Sequence, residues 1–140
     1  FAFMAASARL RCPFSELGLV AEAGSTMTFP ALMGRQKAAW MLMSSDWMSA
    51  EQCKDMGLVL DVFADDVFTE EVHQRAAKLA ALPPGPLAAA KRLINGPEIE
   101  RLKAVIDAEN AELAELSGGP ANLEAVTAFR EKRPPDFSTL

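Results

Sequence analysis

The sequence predicts an α/β protein that is mostly helical and has only short strands. Apolar segments of the strand type occur three times, and all of them lie before residue 64. Helix caps and glycines delimit three short helical segments in the same region. Beyond residue 68, apolar residues recur at three- and four-residue spacing between Pro- and Gly-rich breaks, which indicates a series of amphipathic helices.

The three predicted strands cover residues 1–6, 9–14 and 59–63. Ser7 and Ala8 separate the first two, and the third is a further alternating apolar segment. We interpret all three as the edges of a sheet that begins upstream in the sequence.

Three short helices are predicted between the second and third strands. Ser25 or Thr26 caps the first, and residues 35–43 form the second. A capping-box pattern, Ser-Ala-Glu-Gln at residues 49–52, opens the third helix, and Gly57 stops it.

Four further helices are predicted in the second half of the chain. Thr69 is expected to cap a helix through Leu82, which a Pro-Pro-Gly-Pro stretch then breaks. A short helix through Lys91–Ile94 follows, then a long helix over residues 98–116, and Ser-Gly-Gly-Pro at residues 117–120 opens the last. Apolar spacing predicts the following inward-facing residues: Val72, Ala76, Leu79 and Ala80 in the first of these helices, and Ile99, Leu102, Ile106, Leu113 and Leu116 in the long one.

Composition excludes several classes of partner. The net charge of −5, from 14 basic and 19 acidic residues, argues against nucleic-acid binding. No apolar segment approaches the ~20 residues that a membrane span needs. Cys12 and Cys53 match no redox or metal pattern, and His73 has no His or Cys at ligand spacing. We therefore expect neither a nucleic-acid nor a membrane partner, and no bound metal.

Glu22 is the candidate catalytic residue, a proton-transfer base. It lies among small residues, in Val-Ala-Glu-Ala-Gly-Ser-Thr, at a turn that leads into an apolar segment. Gly18 and Gly24 permit a close backbone approach, and the apolar residues at 17–21 provide surroundings that favour an uncharged carboxyl. A glutamate at this place also interacts favourably with a following helix N-terminus, so a structural role stays open.

Five segments, in order, resemble the enoyl-CoA hydratase/isomerase family, which is the crotonase superfamily. Residues 29–35 are similar to its Leu-Pro-Arg-Leu-Val-Gly-Arg segment, and residues 49–59 to its Ser-Ala-Glu-Glu-Ala…Gly-Leu-Val segment. Residues 1–26, 91–95 and 129–137 resemble its middle, its late helix and its C-terminal ending. The resemblance covers nearly the whole chain.

The resemblance implies the C-terminal half of a crotonase fold, a ClpP/crotonase-like ββα spiral. Residues 1–66 would be the C-terminal part of the spiral core, and residues 67–140 a helical region that assembles a homotrimer or a hexamer. In this family the two oxyanion-hole donors precede the position that matches Phe1. We therefore expect a fragment, a processed chain or one of two partner chains, completed by the N-terminal half of the same enzyme.

The resemblance also distinguishes between reactions. Crotonase-type hydratases use two glutamates, one of which follows the proline that matches Pro13, but this chain has Phe14 there. Glu22 falls at the position of the base in the peroxisomal-type Δ3,Δ2-enoyl-CoA isomerases. The implied function is isomerisation of 3-enoyl-CoA by one glutamate, with Phe14, Leu17, Gly18 and Ala23 as substrate-binding residues. An enoyl-CoA hydratase and a catalytically silent thioester-binding or assembly module are the alternatives.

Coenzyme A enters as part of the acyl-CoA thioester substrate, and no separate cofactor is expected. Lys91, Lys132 and Arg133 are candidate ligands of its phosphates, although basic residues at solvated helix ends are equally expected to favour the helix dipole. We expect a cytoplasmic protein, or a peroxisomal one if the source is eukaryotic. The C-terminal Ser138-Thr139-Leu140 partly resembles the Ser-Lys-Leu peroxisomal signal.

Overall fold

Seven α-helices and four short strands make up the described part of the chain, which is residues 1–138 and 140 of a computed structural model. Thr139, in the C-terminal tripeptide considered above, lies outside the described residues. The strands are β1 (Phe3–Ala5), β2 (Arg9–Leu10), β3 (Met48–Ser49) and β4 (Asp61–Phe63). The helices are α1 (Ser25–Met33), α2 (Arg35–Ser44), α3 (Ala50–Met56), α4 (Phe68–Ala80), α5 (Pro84–Asn95), α6 (Ile99–Leu116) and α7 (Pro120–Glu131). The predicted α/β class with predominant helix is confirmed.

The chain forms two compact units, and each unit combines two separate segments. The first contains Phe1–Leu10 and Met48–Leu102, and the second contains Arg11–Trp47 and Lys103–Leu140. The predicted division at residue 66, between a spiral core and an assembly region, concerns the roles of the segments and stays a prediction.

Two small strand pairs lie in the first unit. Strand β1 pairs with β4 in parallel, with Phe3 opposite Asp61, and β2 pairs with β3 in antiparallel orientation. The predicted strand over residues 9–14 was too long, since β2 ends at Leu10. Pro13 has no N–H to donate to a strand ladder, which removes the basis for extending the strand that far.

Helix starts in the first unit agree with the sequence patterns in one of three cases. The capping box of α3 is confirmed, because the Ser49 and Gln52 side chains each bond the other residue's backbone N–H, at 3.2 and 2.8 Å. Thr69 is not a cap, because α4 already begins at Phe68. The proline stretch does not only end a helix: α5 starts at Pro84, where a missing N–H costs nothing in the first helical turn.

The predicted apolar face of α4 is only partly covered among the described residues. Ala76 and Ala80 are exposed, and no residue of this helix is fully buried. The buried residues of the first unit are instead Met48, Ala50, Cys53 and Val59, on β3, α3 and the segment that follows. The periodic pattern therefore marked a face of α4 that is covered only in part, since Val72 and Leu79 are half-buried.

The core of the second unit lies among α1, α2 and α7. Ala38, Met41 and Ala128 are fully enclosed there. Helix α6 contributes a polar residue to this core, because Glu109 is only 5% exposed while Leu116, which was predicted to point inward, is 39% exposed. This buried carboxylate lies at the candidate site.

Candidate active site

Glu22 immediately precedes a tight turn that leads into α1. The Ser25 N–H donates to the Glu22 carbonyl oxygen at 3.1 Å, and the two residues between them, Ala23 and Gly24, have φ angles of 60° and 74°. Two successive positive φ angles are the combination found in type I′ turns. Gly24 adopts this geometry freely, whereas Ala23 adopts it at a steric cost of roughly 1–2 kcal/mol. The turn that follows the candidate base is therefore strained at one residue.

The Glu22 side chain is exposed in the part of the chain that the structure describes. The preceding Ala21 is buried, so the backbone passes from the interior to the protein surface between Ala21 and Glu22. The described residues thus do not provide the apolar surroundings that were predicted for this carboxylate. The role of Glu22 as a base stays a prediction. Ala23, predicted to bind substrate, is also exposed beside it.

Glu109 accepts three hydrogen bonds from the start of α1. The Gly24 N–H donates to Oε2 at 2.6 Å, and the Thr26 N–H and hydroxyl donate to Oε1 at 3.0 and 2.6 Å. The predicted cap by Ser25 or Thr26 is therefore wrong. Gly24 is the N-cap, and a carboxylate from α6 accepts the hydrogen bonds that a capping side chain would otherwise accept.

Glu109 is not among the residues predicted from the sequence, although its position in the helical pattern carries a signal. It lies three residues after Ile106 and four before Leu113, so it occupies a position in the same helical stripe that was predicted to face inward. A charged residue at such a position requires partners when buried. The pattern alone could not show that those partners are on α1.

An apolar cavity of about 480 Å³ lies beside the segment that carries Glu22. Val20 and Ala21 from that segment and Thr26 from the first turn of α1 contribute to its wall. The remaining lining residues are Ser15, Leu19, Pro30, Arg35, Ala38, Ala39, Leu42, Met43 and Leu116. Its size is within the range of small-molecule sites and its surface suits a hydrocarbon group.

Gly18 packs directly against the start of α7. A Cβ placed on Gly18 would lie 2.5 Å from the Asn122 backbone nitrogen, and the φ angle of 65° independently favours glycine. The Asn122 side-chain amide donates to the Leu17 carbonyl oxygen at 2.8 Å, which fixes the same segment. Leu17 is 40% exposed and Phe14 is half-buried. The structure thus gives Gly18 a packing role, and the predicted contacts of Phe14, Leu17 and Gly18 with substrate stay predictions.

The candidate phosphate ligands have different environments. The Arg133 guanidinium donates to Glu124 at 2.5 and 3.0 Å and to Glu131 at 2.7 Å, so its charge is already matched within the second unit. Lys132 follows α7 and is exposed, with a φ of 55°. Lys91 is exposed on α5 in the first unit. Their role toward coenzyme A stays a prediction, and Arg133 would have to exchange partners to fulfil it.

Neither a metal-binding cluster nor a membrane-spanning helix occurs among the described residues. No group of three or more His, Cys, Asp or Glu residues in that part of the chain could hold a metal ion. Among the helices that the structure describes, none combines the length and apolar character needed to cross a membrane.

Comparison with known proteins defines the class. Residues 1–139 match the family model described as enoyl-CoA hydratase/isomerase. The chain therefore belongs to the enoyl-CoA hydratase/isomerase family. Its fold is the crotonase fold: a solved enoyl-CoA hydratase/isomerase from Pseudoalteromonas atlantica superposes with a TM-score of 0.92 at 35% identity, over 97% of this chain and 55% of that one.

Curated relatives include both isomerases and hydratases. Enoyl-CoA delta isomerase 2 of Rattus norvegicus is 36% identical over 127 residues, which are 91% of this chain and 32% of the relative. The 2,3-dehydroadipyl-CoA hydratase of Escherichia coli is 33% identical over 131 residues, which are 94% of this chain and 51% of the relative. The chain thus spans about half or less of the length of these relatives. These relatives belong to one family but are named for different reactions, isomerisation and hydration.

Proposed function

We propose that the full-length protein isomerises 3-enoyl-CoA to 2-enoyl-CoA, with Glu22 as the only proton shuttle. One observation carries this proposal: Glu22 is an exposed carboxylate that directly follows two residues of the cavity wall, Val20 and Ala21. By the family resemblance, Phe14 stands where hydratases have their second carboxylate. A phenyl ring can neither donate a proton nor hold a water molecule. The residues at hand therefore suit a reaction that needs one base and no water.

The reaction requires one carboxylate used twice. Glu22 would remove a proton from C2 of the 3-enoyl thioester, and the electrons of that C–H bond would delocalise into the thioester carbonyl and the C3–C4 double bond. The resulting dienolate takes the same proton back at C4, which leaves the double bond between C2 and C3. No atom is gained or lost, and no cofactor is needed beyond the coenzyme A carried by the substrate.

Stabilisation of the dienolate oxygen must come from hydrogen-bond donors. Donors of this kind usually provide the largest single contribution to such a reaction. The family resemblance assigns them to sequence upstream of Phe1, so the 140-residue chain alone is expected to show no appreciable turnover. By the same resemblance we expect the full-length protein to assemble as a homotrimer or a hexamer.

Hydration of 2-enoyl-CoA is the second candidate function. The similarity to 2,3-dehydroadipyl-CoA hydratase of E. coli favours it. Phe14 argues against it, since the family's hydratases use a glutamate there. A silent module that binds thioester or supports assembly is the third candidate, and it predicts neither activity.

The test compares two substrates and two variants in the full-length protein. We expect faster turnover of 3-enoyl-CoA than hydration of 2-enoyl-CoA, and Glu22→Gln should lower isomerisation by about 10²–10⁴-fold, the usual contribution of general acid–base catalysis. Glu16→Gln is the matched control, because it removes only a half-buried ion pair with Arg11 and should change turnover little. Parental turnover by Glu22→Gln, or hydration faster than isomerisation in the parent, would refute the isomerase assignment.

A further inference from the structure

Glu109 is a buried carboxylate that the proposed proton transfer does not use, yet it contacts the turn that carries the base. Its three hydrogen bonds all end on Gly24 and Thr26, which flank Ser25. The Ser25 N–H in turn donates to the Glu22 carbonyl oxygen. We propose that Glu109 is a positioning residue for Glu22, an inference that rests on the proposed function.

The geometry explains why this turn needs an external partner. Ala23 has a φ angle of 60°, which L-residues other than Asn and Asp adopt rarely. The segment from Glu22 to Ser25 would therefore not adopt this turn as its lowest-energy conformation by itself. The bond at Gly24 immediately follows the strained residue, and the bonds at Thr26 lie within the first helical turn. Glu109 therefore constrains the backbone on both sides of Ser25 and prevents the turn from relaxing.

A carboxylate suits this position better than an amide does. Each of its oxygens accepts from a different residue: Oε2 from Gly24, and Oε1 from Thr26. Glutamine at position 109 would have one oxygen and one NH₂ group, so in either orientation a backbone N–H of the turn would face another donor. Glu109→Gln thus preserves size and burial while it removes one of the two restraints.

The expected effect is on the chemical step. When the turn relaxes, the Glu22 carboxylate shifts relative to C2 and C4 of the substrate, and a displacement of about 1 Å can lower turnover by about 10²-fold. Glu109→Gln in the full-length protein should therefore lower kcat about 10- to 100-fold with KM nearly unchanged. Glu112→Gln, on the exposed side of α6, is the matched control and should leave both parameters at parental values.

A second variant keeps the test decisive if Glu109→Gln does not fold. Thr26→Val removes one hydroxyl donor to Glu109 and keeps the shape of the side chain. It should lower kcat by a smaller factor, and Thr26→Ser, which keeps the hydroxyl, should have a clearly higher kcat than Thr26→Val. Recovery by a hydroxyl at constant stability would not follow from a purely structural role.

The decisive measurement determines kcat for Glu109→Gln in a Glu22→Gln background. If Glu109→Gln is unfolded, Thr26→Val takes its place. A positioning residue acts through Glu22, so the second substitution should cause no further loss once the base is absent. Suppose that Glu22→Gln lowers kcat. If the substitution at Glu109 or Thr26 then leaves the kcat of the parent unchanged, or lowers kcat equally in the parent and in the Glu22→Gln background, the positioning inference is refuted and the proposed function stands. If Glu22→Gln itself retains parental kcat, both fail.

Discussion

The Glu124 carboxylate accepts two hydrogen bonds from the Arg133 guanidinium, at 2.5 and 3.0 Å, and these bonds tie the segment after α7 back onto that helix. The Asp136 N–H donates to the same carboxylate at 2.9 Å. Together Arg133 and the Asp136 N–H lower the pKa of Glu124 from 4.5 to about 2. The contact is exposed to solvent, so its contribution to the stability of the fold depends on the ionisation of Glu124 rather than on burial.

The first prediction concerns acid. Because the folded pKa of Glu124 lies below its unfolded value, the ionised carboxylate stabilises the folded protein above about pH 4.5, and this contribution disappears as the pH falls toward about 2. The free energy of unfolding of the parent should therefore exceed that of Glu124→Gln near neutral pH, and the difference should shrink over this window. Urea titrations at successive pH values measure it. Curves that stay parallel down to pH 2 would contradict the prediction.

Gly18 provides the second prediction, which concerns stability. Gly18→Ala combines a left-handed φ angle with a Cβ 2.5 Å from the Asn122 nitrogen. The conformational cost is roughly 1–2 kcal/mol and overpacking adds roughly 1–3 kcal/mol. Gly118→Ala is the matched control, because its φ is 74° but nothing lies within 4 Å of the added carbon. Denaturant unfolding should show a clearly larger loss for Gly18→Ala, and equal losses would mean that the close approach to α7 is unimportant.

A third prediction follows from the strained turn. Ala23→Gly should stabilise the protein slightly, because relief of the left-handed conformation, roughly 1–2 kcal/mol, exceeds the entropic cost of an added glycine, roughly 0.5–1 kcal/mol. The same change at Ala108, an exposed helical position of α6, should destabilise it. Thermal unfolding of the two variants compares them directly. A lower Tm for Ala23→Gly would show that the turn is not strained in solution.

The parts of the fold that depend on nearby residues could be predicted from the sequence. The capping box of α3 and its glycine stop are examples, because both partners lie within a few residues of each other. The turn at Glu22 was also expected, since small residues and Gly24 permit it. These features need no knowledge of distant segments.

Features that depend on distant segments could not be predicted. The start of α1 is satisfied by Glu109, which is 83 residues away from Thr26, so local capping rules selected the wrong residue. The tight contact of Gly18 with Asn122 likewise joins the candidate site to α7. Helical periodicity also identified a face of α4 without indicating whether anything covers it. In each case the missing information was the identity of a partner remote in sequence.

The two compact units alternate along the chain in the order first, second, first, second. As a result, any single break in the polypeptide separates parts of at least one unit. Neither unit can be exchanged between relatives as one uninterrupted gene segment, and recombination that preserves both must transfer the alternating segments together.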